Sequence, residues 1–285
     1  MNKKDDLYIC SPDITSAWIK AVTFLKCQPK SEAFNLSVRI EDPTSENAQH
    51  REIIERYLEK NVNKLHQGHI ETVAQTIFPK SLLYKYCREA QDPRQRQQFY
   101  NSYMKNKEII RAHNANAKGT YFQRLIWWPS WDTPEISRVN QLENIIGKIN
   151  GGKASRVVHE LAMENPSAEG IEGATFYNPD KDRNCSRYMS FPCLSYVSIK
   201  PESVEKGGGR IHMTALYRNH YFISRAYGNY LGLGWLLKFL CDATVRKPGE
   251  LLCVSSMARV ESPPDGLSKG KINDLVEILK KAEVQ

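Results

Sequence analysis

Three residues in the second half of the chain have side chains suited to covalent chemistry on a nucleotide. Cys193 closes the run Phe191-Pro192-Cys193, Arg218 follows in Leu216-Tyr217-Arg218, and Asn229 stands eleven residues beyond the arginine. A cysteine attacks as its thiolate, which needs a nearby positive charge or base. The guanidinium of Arg218 could supply that charge, and its planar fork matches the oxygens of a phosphate. The amide of Asn229 offers a donor and an acceptor, the pattern needed to read the polar edge of a base. Each residue also has a plainer reading: core packing for the cysteine, a surface or structural role for the arginine, a helix cap for the asparagine. Taken together they form a layout that a covalent pyrimidine nucleotide intermediate could use.

The elements that must position them are mixed rather than a regular strand and helix alternation. Ser11-Pro12-Asp13 reads as a helix start, with Ser11 as cap and Pro12 at the first helical position. Ile14, Trp18, Ala21, Val22 and Leu25 then share a face up to Cys27. Residues 34–40 alternate as a strand, and Ile53, Ile54, Tyr57, Leu58 and Leu65 return to helical spacing. The polar stretch 92–118 reads as a helix plus an exposed loop. Ile136, Val139, Leu142, Ile145, Ile146 and Ile149 form a helical stripe that Asn150-Gly151-Gly152 would stop. Strand-like runs follow at 156–161, 191–199, 210–216 and 251–261. Between the last two, residues 228–244 read as a buried helix, apolar almost all round. A charged amphipathic helix over 271–283 closes the chain, either as a packing element or as a docking element for another protein. Helices covering an extended sheet make the expected class α+β. No internal repeat or linker divides the chain, so residues 1–285 are expected to form one domain.

With 285 residues, 41% of them hydrophobic, the chain can bury a substantial core. The longest apolar run, 231–240, is too short for a membrane span and is broken by Gly232, Gly234 and Lys238. The beginning of the chain lacks the apolar core and cleavage site of a secretory signal, so a cytoplasmic protein is the expectation. Seven scattered cysteines without C-x-x-C pairs suggest neither a disulfide framework nor a zinc ribbon, and no metal is expected. A net charge of +8 suits an anionic partner or a solvated basic surface. No Arg/Lys block or nucleic-acid module favours a polymer partner.

The segment around Cys193 resembles the thymidylate synthase family. Pro192-Cys193 matches its Pro-Cys strand, and Arg218 to Asn229 keeps the interval of its Tyr-x-Arg-Ser-x-Asp strand and downstream asparagine. The extra length between cysteine and arginine falls at 202–209, a glycine-rich hairpin tip where insertions are easily accepted. Upstream, Thr120-Tyr121-Phe122-Gln123-Arg124-Leu125-Ile126-Trp127-Trp128-Pro129 is similar to the family's tyrosine and tryptophan segment ending in Trp-Pro. The helix at Gln141 follows in order, and Ala154-Ser155-Arg156 resembles the Asp-x-Ser-Arg-Arg motif with one arginine kept. The likeness covers 119–261; residues 1–118 match loosely, and 262–285 form the terminal helix.

The resemblance implies a large mixed sheet with flanking helices, two such sheets packing back to back in a homodimer. It implies that Cys193 attacks C6 of a pyrimidine nucleotide and activates C5 toward a one-carbon electrophile, with methylenetetrahydrofolate as the implied donor. Arg218, with Arg156 from the other subunit, would hold the 5′-phosphate and help lower the thiol pKa. Asn229 would pair with the base, Tyr121 would join the proton network, and Trp128 would line the cofactor side. Asn219, at the position of the family's phosphate-side serine, and Ser256 are further substrate-side candidates. Departures accompany the match. Leu194 replaces the histidine after the nucleophile, and Tyr221 replaces the aspartate that meets folate. Arg259 and Glu261 stand where a histidine and a tyrosine hold the sugar 3′-hydroxyl. The catalytic glutamate, counted onto the first helix, falls near Ala17, whose methyl group cannot move a proton. Two functions therefore stand side by side: a divergent enzyme acting at pyrimidine C5 as a methyltransferase or hydroxymethylase, and a catalytically silent nucleotide sensor or dimeric scaffold.

Overall fold

Strand β9 (Lys247–Arg259), thirteen residues long, organises the sheet because both of its edges are paired. A computed structural model describes residues 7–62, 70–112, 119–129, 138–152, 159–163, 193–203 and 208–282. Among them β9 pairs antiparallel with β2 (Glu32–Ile40) and parallel with β7 (Arg210–Tyr217). The sheet continues from β2 to the parallel β1 (Tyr8–Ser11), and from β7 through the antiparallel β6 (Leu194–Pro201) to β5 (Glu160–Ala162). A short β8 (His220–Tyr221) extends the β9 pairing beyond the end of β7. This is a large mixed sheet flanked by helices, in keeping with the α+β expectation.

One face of the sheet is buried. Leu36, Val38 and Ile40 of β2, Leu251 and Cys253 of β9, and Ile211, Met213 and Ala215 of β7 lie in a core that runs from Ile9 to Leu279. Against it pack α1 (Ile14–Cys27) and α9 (Tyr227–Ala243). The opposite face has a different character. Val254, Leu216 and Tyr196 are register partners across three strands, and all three keep solvent exposure, as does Phe34 on β2.

Helix α9 is buried along nearly its whole length, as its apolar sequence requires. Its Gly228 and Gly232 allow α3 (Ile70–Ile77) to approach closely. A Cβ at Gly228 would meet Ile70 O at 2.5 Å, and one at Gly232 would meet Ala74 O at 2.7 Å. This contact fixes α9, and with it Asn229, against the rest of the core.

Several boundaries differ from the sequence expectation. Ser11 ends β1 instead of capping α1; the cap is Asp13, whose Oδ1 accepts from Ser16 N at 2.9 Å. Residues 113–118 of the polar stretch 92–118 lie outside the described residues, and its helical part is α5 (Pro93–Lys105) and α6 (Lys107–Ala112). Its Arg96 is buried because Glu143 of α8 (Gln141–Asn150) accepts both of its fork nitrogens at 2.7 and 2.8 Å, while Tyr100 donates to the same carboxylate. A charged side chain thus enters the core fully paired. Helix α2 (Ala48–Asn61) follows the sequence reading, and Gly151 caps α8. Ile136 and Leu65 lie outside the described residues, and Val139 lies in a short strand, β4 (Arg138–Val139), paired with β3 (Trp128–Pro129). The terminal helix α10 (Lys269–Ala282) buries Ile272, Leu275 and Leu279 against α1 and α2, which satisfies its apolar face within the chain.

Candidate functional site

Cys193 sits immediately before β6, where the strand enters the sheet. Its backbone is held from two sides. Tyr121, the first residue of α7 (Tyr121–Ile126), accepts hydrogen bonds at Oη from Cys193 N at 3.1 Å and Leu194 N at 3.2 Å. Arg218, just past β7, donates its main-chain N–H to Cys193 O at 2.9 Å. The antiparallel pairing of β6 and β7 therefore holds the backbones of Cys193 and Arg218 together, while Arg218 Nε donates to Ser195 Oγ at 3.2 Å. Burial pushes the Tyr121 phenol up to about 12, so at neutral pH it keeps its proton while accepting the two amides. Burial also raises the Cys193 thiol, and the charge that opposes this shift is that of Arg225. Arg218, the cation expected to act on the thiol, is itself lowered by burial.

Asn229 belongs to a buried polar chain. Its Nδ2 lies 3.1 Å from His220 Nε2, and His220 Nδ1 lies 2.9 Å from Ser255 Oγ. His220 is stacked on Tyr217 at 4.0 Å between ring centroids. Complete burial lowers the imidazole to about 3, so it is neutral. With Nδ2 donating to Nε2, the Nδ1 proton goes to Ser255 Oγ, and the amide of Asn229 is fixed in rotation.

A cavity of about 500 Å³ opens at the ends of β8 and β9, lined by Lys30, Tyr221, Arg225, Arg259, Glu261 and their neighbours. Arg225 lies in a single π-helical turn (Phe222–Ala226) that joins β8 to α9. Such turns recur at functional sites. The turn is tied down by Glu261, whose Oε2 and Oε1 accept from Ile223 N and Ser224 N, each at 2.9 Å. Arg259 pairs with Glu32 at 3.6 Å, and its guanidinium lies 5.0 Å from the centroid of the Tyr221 ring.

Comparison with known proteins adds a relationship by sequence. No family model matches the chain. A protein of Methanosarcina barkeri described as "Putative thymidylate synthase" is 25% identical over 155 residues, which are 54% of this chain and 58% of that protein. Proteins of the same description from Methanosarcina acetivorans and Methanococcoides burtonii are each 26% identical over the same share of both chains. The relationship is thymidylate synthase-like and distant. The match spans little more than half the length of these relatives.

The structure brings Tyr121, Cys193 and Arg218 together where β6 and β7 meet, holds Asn229 on α9 against His220, and places Tyr221 in the cavity lining. Asn219 lies beside Arg218 with its Oδ1 buried and without a hydrogen-bond partner among the described residues. Ser256 is exposed; its neighbour Ser255 is the serine that joins the Asn229 chain. Trp128 is half-buried in β3, outside the cavity lining. Arg156 lies outside the described residues. Ala17 is wholly buried on α1. His220, Ser255 and Arg225 escaped the sequence reading. The short spacing of His220 and Asn229, nine residues across a strand end and a helix start, was the only sign available. Among the described residues no group of three or more His, Cys, Asp or Glu side chains is placed to hold a metal ion, and no helix is long and apolar enough to cross a membrane.

Proposed function

We propose that this thymidylate synthase-like protein binds a pyrimidine nucleoside 5′-monophosphate and forms an adduct between Cys193 and C6 of the base, activating C5 toward a one-carbon electrophile. The observation that carries this reading is the 2.9 Å main-chain hydrogen bond from Arg218 to Cys193, which joins the residue that bears the thiol to the one that bears a phosphate-type guanidinium at one sheet end. The distant relatives described as "Putative thymidylate synthase" support it.

In this mechanism the thiol first gives its proton to solvent. Burial opposes that loss, and the charge of Arg225 offsets part of the opposition. A bond then forms from Sγ to C6, the electron pair of the C5–C6 double bond moves toward the C4 carbonyl oxygen, and C5 becomes nucleophilic. Tyr121 acts as a positioning residue, because its hydroxyl fixes the backbone from which the thiol projects. The Asn229 amide, with one N–H committed to His220, keeps a second N–H and its oxygen for a base edge that presents one acceptor and one donor, as uracil does.

The residues present do not fit the folate side. Tyr221 stands where the resemblance puts the folate-contacting carboxylate, and the Arg259 guanidinium covers its ring. Pairing of two chains through the sheet belongs to the same proposal, supported by the partly exposed apolar row Val254, Leu216 and Tyr196.

A second reading, a nucleotide-binding protein without turnover, is favoured by the raised thiol pKa and by the buried methyl group of Ala17. Incubation with 5-fluoropyrimidine nucleoside monophosphates, followed by intact-mass and peptide mass spectrometry, separates the two. The enzyme reading expects an adduct on Cys193 that Cys193→Ser abolishes. Calorimetric binding without any adduct would leave the silent binder. Absence of both binding and adduct would sink the nucleotide reading altogether.

A further inference from the structure

The cavity lined by Arg225, whose charge acts on the Cys193 thiol, carries as many cations as carboxylates, but these are not all paired with one another. Lys30, Arg225 and Arg259 line it together with Glu32, Glu261 and Asp265. Arg259 is paired with Glu32 at 3.6 Å. Glu261 is committed through both oxygens to the backbone of the π-helical turn. Lys30 and Arg225 make no ion pair with another described residue, and both reach solvent.

Lys30 is also held in an unusual way. Lys30 and Ser31 are consecutive non-glycine residues in the left-handed region, at φ 54 and φ 56. Each such residue costs about 1 kcal/mol or more and persists only where surrounding structure enforces it. The enforcement is visible: Ser31 N donates to Gln28 O at 3.0 Å, and Val260, on the cavity wall, donates its N–H to Ser31 O at 3.0 Å. The strained turn is thus fastened to the same wall that carries Arg259 and Glu261. Arg218 is not part of the lining; its guanidinium faces Ser195 across β6 and β7.

We propose that Lys30 and Arg225 form a second anion subsite, which takes a phosphate or carboxylate of the ligand in addition to the 5′-phosphate expected at Arg218. The inference rests on the nucleotide reading above. It makes the ligand a pyrimidine nucleotide with two anionic groups, either a nucleoside 3′,5′-bisphosphate or a 5′-monophosphate carrying a carboxylate on the base.

Calorimetry with a pyrimidine nucleoside 5′-monophosphate, the matching 3′,5′-bisphosphate and a base-carboxylated 5′-monophosphate tests this. One of the two doubly anionic compounds should bind at least about tenfold tighter than the monophosphate, since charge-assisted contacts to a fork or ammonium are the strong class. Arg225→Gln and Lys30→Gln should each abolish that gain, whereas Arg218→Ala should weaken all three compounds alike. Which compound gains tells the two sources apart. Circular dichroism and melting temperature confirm that each variant folds. Equal binding of all three compounds, or a gain that survives Arg225→Gln, would overturn the second subsite and leave the nucleotide reading intact. Binding of none of them removes both.

Discussion

Asn229 and His220 are joined by a 3.1 Å contact between Nδ2 and Nε2 in the interior, and the histidine is neutral because burial holds its pKa near 3. The amide that would read a base therefore leans on a ring that does not charge in the physiological range.

This has a signed consequence for stability. An unfolded His220 takes up a proton below pH 6.5, while the folded one stays neutral until about 3. In that window the unfolded state binds more protons, so stability falls as pH drops, by up to about 1.4 kcal/mol per unit. Urea unfolding of the wild type and His220→Phe between pH 4 and 8 should give a shallower pH slope for the variant. Parallel curves would show that His220 protonates in the fold.

Tyr121→Phe should cost more than a typical hydroxyl deletion. The phenol oxygen serves two backbone donors, Cys193 N and Leu194 N, and its removal leaves both without this acceptor. Each unsatisfied buried donor costs about 1–3 kcal/mol. Thermal unfolding should show a clear loss of stability. Adduct formation at Cys193 should slow more than nucleotide affinity falls, because the change acts on the placement of the thiol. Unchanged adduct kinetics would remove Tyr121 from the site.

Arg225 should govern the reactivity of Cys193. Its charge favours the thiolate against desolvation, so Arg225→Ala raises the thiol pKa further and lowers the thiolate fraction at any pH below it. Alkylation at pH 8, followed on the Cys193 peptide by mass spectrometry, should slow several-fold in the variant, with its pH profile moved upward. The exposed Cys27 serves as internal control. An unaltered profile, or one altered equally by Arg218→Ala, would contradict the assignment.

The parts legible in the sequence are those where side-chain pattern and burial coincide. Residues 228–244 read as a buried helix because almost every face is apolar, and α9 occupies nearly that range. The run from 210 alternates cleanly, and β7 follows it. What stayed hidden depends on partners distant in sequence. Arg96 belongs to a polar stretch read as helix plus exposed loop, and its burial becomes intelligible only when Glu143, forty-seven residues away, takes up its fork. Strand β1 has four residues and exists through its parallel pairing with β2. Within the site, Cys193, Arg218 and Asn229 could be named from type and spacing. The choice between Ser255 and Ser256 follows from which way the pleat of β9 turns, and Arg225 enters only because a π-helical turn aims it into the cavity.

The uncovered sheet face yields the last prediction. Leu216 and Tyr196 are 38% and 41% exposed, and with Val254 between β2 and β7 they form a continuous apolar row. Phe34, 64% exposed, adds to the same side near the β2 edge. A contiguous apolar patch on a sheet face marks an interaction surface, and pairing of identical faces about a two-fold axis is the commonest closed solution. A chain of 32.7 kDa should accordingly sediment as a dimer of about twice that mass. Leu216→Arg places a charge at the centre of the row. Since Leu216 is not a core residue, the variant should keep its fold while dissociating, with a dimer constant weakened by at least about a hundredfold, as expected for an uncompensated charge in an interface core. If the wild type sediments as a monomer at high micromolar concentration, the exposed row serves some other contact and the back-to-back arrangement is excluded.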